Sequence, residues 1–439
     1  MSRAGLLDAH AHLALHGRDM TMLRLDRCRS QAECLASIAA RAGAAGPGAW
    51  LLATGMRIEA WQTPVAPTRH QLDEAGAGRP VGIWSFDHHM LAASSAALRA
   101  AGIDAHSPDP AGGVIDRDSA GAPTGVLLEN AAQLAWRAVP EPTAAERRQQ
   151  VRAAASDFAR RGIVEVHDMH AAPWLGPLLA ELNDAGELPL RVLLYVPLDA
   201  IEAAAETAGP WQRDRVRLAG AKLFADGTLN SRTAWMLSDY ADPLPGHERG
   251  KPMVGPGAIE AAIRRVEALG LSLATHAIGD GAVRAVLDAI ETASGYPPTP
   301  WGDQPSSTFD TLAPPRGGIP RHRIEHAEII DEADVPRFGA LGVVCSPQPC
   351  HLLTDIEVLR RLLPHRLGRV LPLRELINSG LIPGRDLLFG SDAPIVEPEP
   401  QDNITAATLR RRAEMPPEAS IAPQQAISEQ EACAAMRAG

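Results

Sequence analysis

Two histidines one residue apart, in Asp8-Ala9-His10-Ala11-His12, open the case for metal chemistry. Residues two apart in a strand face the same side, so both imidazoles can turn towards one ion. Neutral imidazole suits zinc and similar cations. The pair could equally be two surface histidines near the N-terminus, and so short a motif does not decide. Further along, His276 in LATHAIGD and His326 in RIEHAE each end a short apolar run, and Asp392 in FGSDAP follows another. Four histidines from three separate places leave the surface reading with much to explain. Asp392 could bind the ion, take a proton from water that the ion activates, or do both in sequence. A cation lowers the pKa of bound water towards neutrality, and a carboxylate beside it can relay the proton to a leaving group. Lys222 in GAKLFADGT has two readings. It could pair with Asp226 or another carboxylate, or its amine could add carbon dioxide and become an anionic carbamate. A carbamate can bridge two metal ions about 3.5–4 Å apart. That reaction needs neutral amine, which burial near cations favours.

The elements that must position these groups are short β-rich runs at 5–8, 163–166, 190–196, 216–224, 271–275, 322–325, 342–345 and 387–390. Helix-like stretches rich in Ala, Leu and Arg separate most of them, such as 144–161, 259–269 and 282–292. Strands alternating with helices predict a parallel sheet, and eight such units predict closure into a (β/α)8 TIM barrel. Active sites of such barrels lie at the C-terminal strand ends, where the candidate residues fall. The barrel is expected to span residues 1–439. The first connection is too long for one crossover. Residues 50–130 carry strand-like pieces of their own at 50–56, 81–86, 114–116 and 126–128, with turn signals at Gly112-Gly113 and Ala122-Pro123. They predict an α/β insertion after the first strand, serving as a lid or substrate wall. Residues 295–320, rich in Pro, Gly, Ser and Thr, predict a long loop.

Bulk properties narrow the function classes. The 439 residues are 45% hydrophobic, enough for a large core, and carry a net charge of −11. The acidic balance argues against nucleic acid or an anionic membrane as partner. With three Tyr and six Phe, a platform for stacking bases is not expected. The five cysteines (Cys28, Cys34, Cys345, Cys350 and Cys433) form no CxxC pair and are odd in number, which favours a reducing compartment. The opening MSRAGLLDAHAHL holds no apolar run long enough for a signal peptide or membrane span. A cytoplasmic protein is expected, and homo-oligomers are compatible with everything above.

At this point the residues resemble the amidohydrolase superfamily, in the branch of N-substituted formamide deformylase and YtcJ-like proteins. The stretches that carry the resemblance are LLDAHAHL, GRPVGIWSFDHHMLAASSAALRAAGI, GAPTGVLLENA, GIVEVHDM, AKLFADGTLNSRTA, LATHAIGDGAV, HRIEHAEII, GVVCSPQPCHLLTD and LLFGSDAPIVEPEP, in the family's order. The resemblance implies that His10 and His12 hold the more buried metal and that a carbamylated Lys222 bridges to a second one held by His276 and His326. It also implies that Asp392 binds the first metal and acts as general acid and base. Catalysis then falls on Asp392 and His326, with one or two divalent ions, zinc by expectation. The implied chemistry is attack of metal-activated hydroxide on an amide or other C–N bond. Two departures stand out. Only seven residues precede Asp8 and the chain ends at Gly439, so the flanking β-sandwich usual in this branch is expected to be missing. Glu165 stands where the family usually has a small hydroxyl residue; it could add a ligand, touch substrate or sit in a salt bridge.

The substrate is expected to be a small molecule. His89 could reach the pocket from the insertion or serve as a hydrogen-bonded structural group. Arg232 could hold a substrate carboxylate through its forked donors or fix its loop to an acidic neighbour. Gln348 and His351 are candidate polar contacts. Trp61 and Trp84 could line an apolar wall, though tryptophan is more often core. A decarboxylase or isomerase of the same superfamily, or a barrel kept only for binding, would show the same residues.

Overall fold

Strand β1 (Leu6–Ala11) is buried at five of its six positions, the pattern of a parallel strand covered on both faces. It opens the larger of two units in the computed structural model, which describes residues 5–46, 48–58, 61–86, 88, 90–110, 113–244, 246–294 and 321–439. That unit contains the N-terminal stretch to His16 and Val151–Gly439; the smaller unit is Gly17–Gln150. Both the predicted loop 295–320 and His89 lie outside the described residues.

The smaller unit has a sheet of β2 (Leu23–Arg24), β3 (Leu51–Met56), β4 (Val81–Ser85), β5 (Met90–Ala93), β6 (Gly113–Arg117) and β7 (Pro123–Glu129), ordered β2-β3-β4-β5-β7-β6. The first three strands are parallel and the rest antiparallel. The unit begins well before residue 50 because helix Gln31–Ala44 belongs to it. Cys34, Ile38 and Ala42 of that helix, spaced four apart, bury one face against Leu51, Ile83 and Leu72. Ser30 caps the helix by accepting the Glu33 N–H.

In the larger unit β1 continues into β8 (Ile163–Met169), β9 (Arg191–Pro197), β10 (Val216–Phe224), β11 (Ser272–Ala277), β12 (Arg323–His326) and β13 (Val344–Ser346). All seven strands are parallel and adjacent in that order. The eighth expected strand, 387–390, is not a regular strand, yet it nearly closes the barrel. Leu388 N–H donates to Cys345 O at 3.0 Å on one side, and on the other Ala9 N–H donates to Phe389 O at 3.0 Å. Further on, Asp392 N–H reaches His10 O at 2.7 Å and His12 N–H reaches Ala393 O at 2.9 Å. Two causes break the regular ladder: Asp392 has φ +62, outside the extended region, and Asp8 captures Ser391 through its backbone N–H (3.0 Å) and hydroxyl. Gly390 makes the closure possible, since a Cβ there would lie 2.5 Å from His10 N.

Helices cover the outside. In Ala144–Arg160, Val151, Ala154, Ala155 and Phe158 fall on one face at helical spacing and pack with Ile163, Val166 and Val192. Burying a side chain such as Phe158 contributes about 1.5–3 kcal/mol. Among the described residues no helix is long and apolar enough to cross a membrane.

Candidate metal centre

The closing segment sets Asp392 against the HxH pair. Its Oδ1 lies 2.9 Å from His12 Nε2 and 3.3 Å from His10 Nε2. His10 is fixed from behind, with Nδ1 at 2.8 Å from Glu325 Oε2. Facing a carboxylate, Nδ1 must carry the ring proton, which leaves the Nε2 lone pair opposed to a lone pair of Asp392. Protonating His10 would relieve the clash, but burial and the nearby Lys222 hold its pKa below the usual histidine value. A shared cation resolves it. Burial works against the charged form of Asp392, yet His10 and His12 outweigh it and hold the carboxyl well below its ordinary range.

His326, at the end of β12, lies with its ring centroid 5.0 Å from that of His10 and 4.3 Å from that of His276. Donor atoms of His10, His326 and Asp392 all fall within 4.8 Å of one another. The same is true of His326, Glu328 and His351. His326 and Asp392 both have φ above +60 (68 and 62), a conformation that non-glycine residues keep only where the surroundings impose it. His326 Nδ1 is buried with no hydrogen-bond partner. His276, at the end of β11, donates Nε2–H to Gly227 O at 3.1 Å, leaving Nδ1 as its lone-pair nitrogen. Burial, with Lys222 adding to it, drives the His276 pKa down to about 3. It is therefore a neutral imidazole at physiological pH, with a lone pair free on Nδ1.

Lys222 of β10 is 2% exposed, and its Nζ has no hydrogen-bond partner among the described residues. Burial lowers its pKa to about 8, against the pull of Glu325 and Asp392. The Lys222–Asp226 pair weighed from the sequence does not form. The Asp226 carboxylate instead accepts the backbone N–H groups of Ile278 (3.0 Å), Gly279 (2.9 Å) and Trp235 (2.9 Å). Three imidazole donors, a carboxylate, a half-buried His12 and an orphaned buried amine fit a divalent-metal site.

The remaining sequence candidates divide. His351 is beside the centre, its Nε2 3.9 Å from Asp392 Oδ2 and its Nδ1 3.6 Å from Glu328 Oε1. Burial opposes its charge, but Glu328 and Asp392 raise its pKa to about 9. Gln348 is buried, donating to Ser346 O at 2.8 Å, with Oε1 unpartnered. Arg232 pairs with Asp242 at 2.9 Å, so it fixes its loop. Trp61 and Trp84 lie in the cores of the smaller unit. Glu165 is fully buried, at 3.3 Å from His167 Nε2 and 2.6 Å from Arg191 Nη2, a salt-bridged position. Sequence reasoning passed over Arg323, Glu325 and Glu328, although all three sit inside or beside the quoted HRIEHAE stretch. The two-residue spacing of Arg323 and Glu325 on one strand face was the available signal; Glu328, past the end of β12, carried none.

The amidohydrolase family model matches residues 3–439. YtcJ of Bacillus subtilis, named as an amidohydrolase, is 31% identical over 417 residues, covering 93% of this chain and 73% of that protein. N-substituted formamide deformylase of Arthrobacter pascens is 25% identical over 445 residues, covering 98% and 76%. Among solved structures, a metal-dependent hydrolase of Pyrococcus horikoshii aligns with a TM-score of 0.76 at 24% identity, over 98% of this chain and 78% of that one. One of Pyrococcus furiosus gives a TM-score of 0.73 at 25% identity, over 98% and 80%.

Proposed function

The chain belongs to the amidohydrolase family, and on that premise we propose that it is a metal-dependent hydrolase cleaving an amide or another non-peptide C–N bond of a small molecule. The observation that carries this reading is the meeting of His10, His326 and Asp392 donor atoms within 4.8 Å, beside an orphaned buried lysine amine. His10, His12 and Asp392 would hold one ion. His276 and His326 would hold a second, bridged by Lys222 once its amine has added carbon dioxide. Zinc suits this nitrogen and oxygen set. A bound divalent ion would supply hydroxide from water at neutral pH and polarise the substrate carbonyl.

The residues of the chain do the rest. Asp392 uses Oδ1 towards the two imidazoles, which leaves Oδ2 to accept a proton and deliver it to the leaving nitrogen. His351, charged at neutral pH and close to Oδ2, would orient an electron-rich substrate atom through Nε2–H. The similarity to a formamide deformylase makes N-formyl and N-acyl compounds the first substrates to try. Metal analysis of the purified protein, followed by a screen of such compounds with and without a chelator, tests the proposal. Metal-free protein with no turnover after zinc addition would overturn it.

A further inference from the structure

Behind the candidate centre, buried polar groups run through the barrel without interruption. Arg191 Nη2 lies 2.6 Å from Glu165 Oε2, and Glu165 Oε1 lies 3.3 Å from His167 Nε2. His167 Nδ1 lies 2.7 Å from Arg323 Nη1. Arg323 donates Nε–H to Glu325 Oε1 at 2.6 Å and Nη2–H to Oε2 at 3.2 Å, and Glu325 Oε2 meets His10 Nδ1 at 2.8 Å. Arg323 and Glu325 are 0% exposed and His167 is 1% exposed. Arg323 Nη2 also lies 2.7 Å from Ala9 O and 2.9 Å from Ser346 Oγ, so its two hydrogens are shared among three acceptors.

The direction of every bond in this series follows from its permanent cations. A guanidinium only donates, so His167 Nδ1 must accept and Nε2 must carry the proton towards Glu165. Arg323 likewise keeps Glu325 an acceptor, and Glu325 then requires the His10 proton on Nδ1. We propose that Arg323 and Glu325, extended by His167 and Glu165, form a positioning ladder that fixes the His10 tautomer and presents its Nε2 lone pair to the metal. A carboxylate behind a ligating imidazole orients the ring and raises its basicity, and losing it typically lowers metal affinity 10–100-fold. Glu165 carries the ladder on to Arg191.

The inference rests on the metal-centre reading above, and one set of titrations separates the two. Removing Glu325 alone leaves Arg323 buried without a counter-charge and threatens folding. The informative variant is therefore the charge-neutral pair Arg323→Met with Glu325→Leu, beside Glu165→Gln. Zinc affinity is measured by chelator competition, and the metal-free proteins are melted in parallel. The double variant should melt within a few degrees of the parent yet bind zinc about 10–100-fold more weakly, with an altered Co(II) absorption spectrum. Glu165→Gln should show a smaller loss of the same kind. Zinc affinity in the double variant within threefold of the parent would overturn the ladder, and unchanged affinity in Glu165→Gln would overturn its extension to Arg191. A parent protein that binds no zinc would instead defeat the metal-centre reading.

Discussion

Asp392 divides its two oxygens between tasks, Oδ1 towards the imidazoles of His10 and His12 and Oδ2 towards His351. Asp392→Asn keeps an oxygen for binding but loses the proton acceptor. It should lower kcat by about 10²–10⁴-fold, with metal content measured alongside; turnover near the parent rate would refute the proton-transfer role. Lys222→Ala should reduce bound metal from two equivalents to one by elemental analysis. A single equivalent in both proteins would point to a mononuclear site. At this scale the sequence offered the histidines and Asp392 as candidates, because they end or follow apolar runs, and the structure brings His10, His326 and Asp392 together. It did not disclose what lies behind them. Glu325 next to His326 reads as an ordinary charged neighbour until the strand partners are known, and the Lys222–Asp226 pair looked natural until three backbone amides proved to occupy Asp226.

Among elements, the closing segment 386–393 matters most, since it joins β13 to β1 and delivers Asp392. A Cβ on Gly390 would press on His10 N at 2.5 Å and His10 Cβ at 2.6 Å. Gly390→Ala should therefore cost about 1–3 kcal/mol in denaturant unfolding and weaken zinc binding as well. Helix Ala144–Arg160 offers a test by pH. Asp157 meets His16 at 3.1 Å, Arg160 at 2.8 Å and Arg161 at 3.2 Å. The hydrogen bond from His16, followed by Arg161, lowers the Asp157 pKa to about 2 despite partial burial. A carboxyl with a depressed folded-state pKa stabilises the fold fully above its unfolded value near 4 and loses that contribution as pH falls towards 2. Asp157→Asn should cost about 1 kcal/mol at pH 7, allowing for solvent screening, and almost nothing near pH 2. A pH-independent difference would exclude the linkage. Seven of the eight barrel runs were legible as strands because apolar β-formers ended at polar residues. The eighth, 387–390, lacks the regular ladder, and in the smaller unit strand β5 was not legible: its MLAA is buried at all four positions, so no alternation marks it.

For the whole molecule, every candidate ligand belongs to the larger unit, so metal should stabilise that unit directly. At 100 times its Kd, an ion bound only by the folded form adds about 2.7 kcal/mol. Chelation should lower the melting temperature by several degrees and zinc should restore it; a melt indifferent to both would contradict a metal-dependent fold. The alternation of strands and helices made the barrel class legible from sequence, while the extent of the smaller unit was not. Helix Gln31–Ala44 carries no mark of which sheet it covers, and only its contacts with β3 and β4 assign it.

The meeting of the first and last barrel segments has a consequence for biosynthesis. His12 and Asp392 are 380 residues apart in the chain. At about 5–20 residues per second, a ribosome finishes the second roughly 20–75 s after the first. Throughout that interval the nascent protein carries imidazoles without their aspartate. An ion captured before Asp392 emerges would lack the carboxylate that meets both His10 and His12.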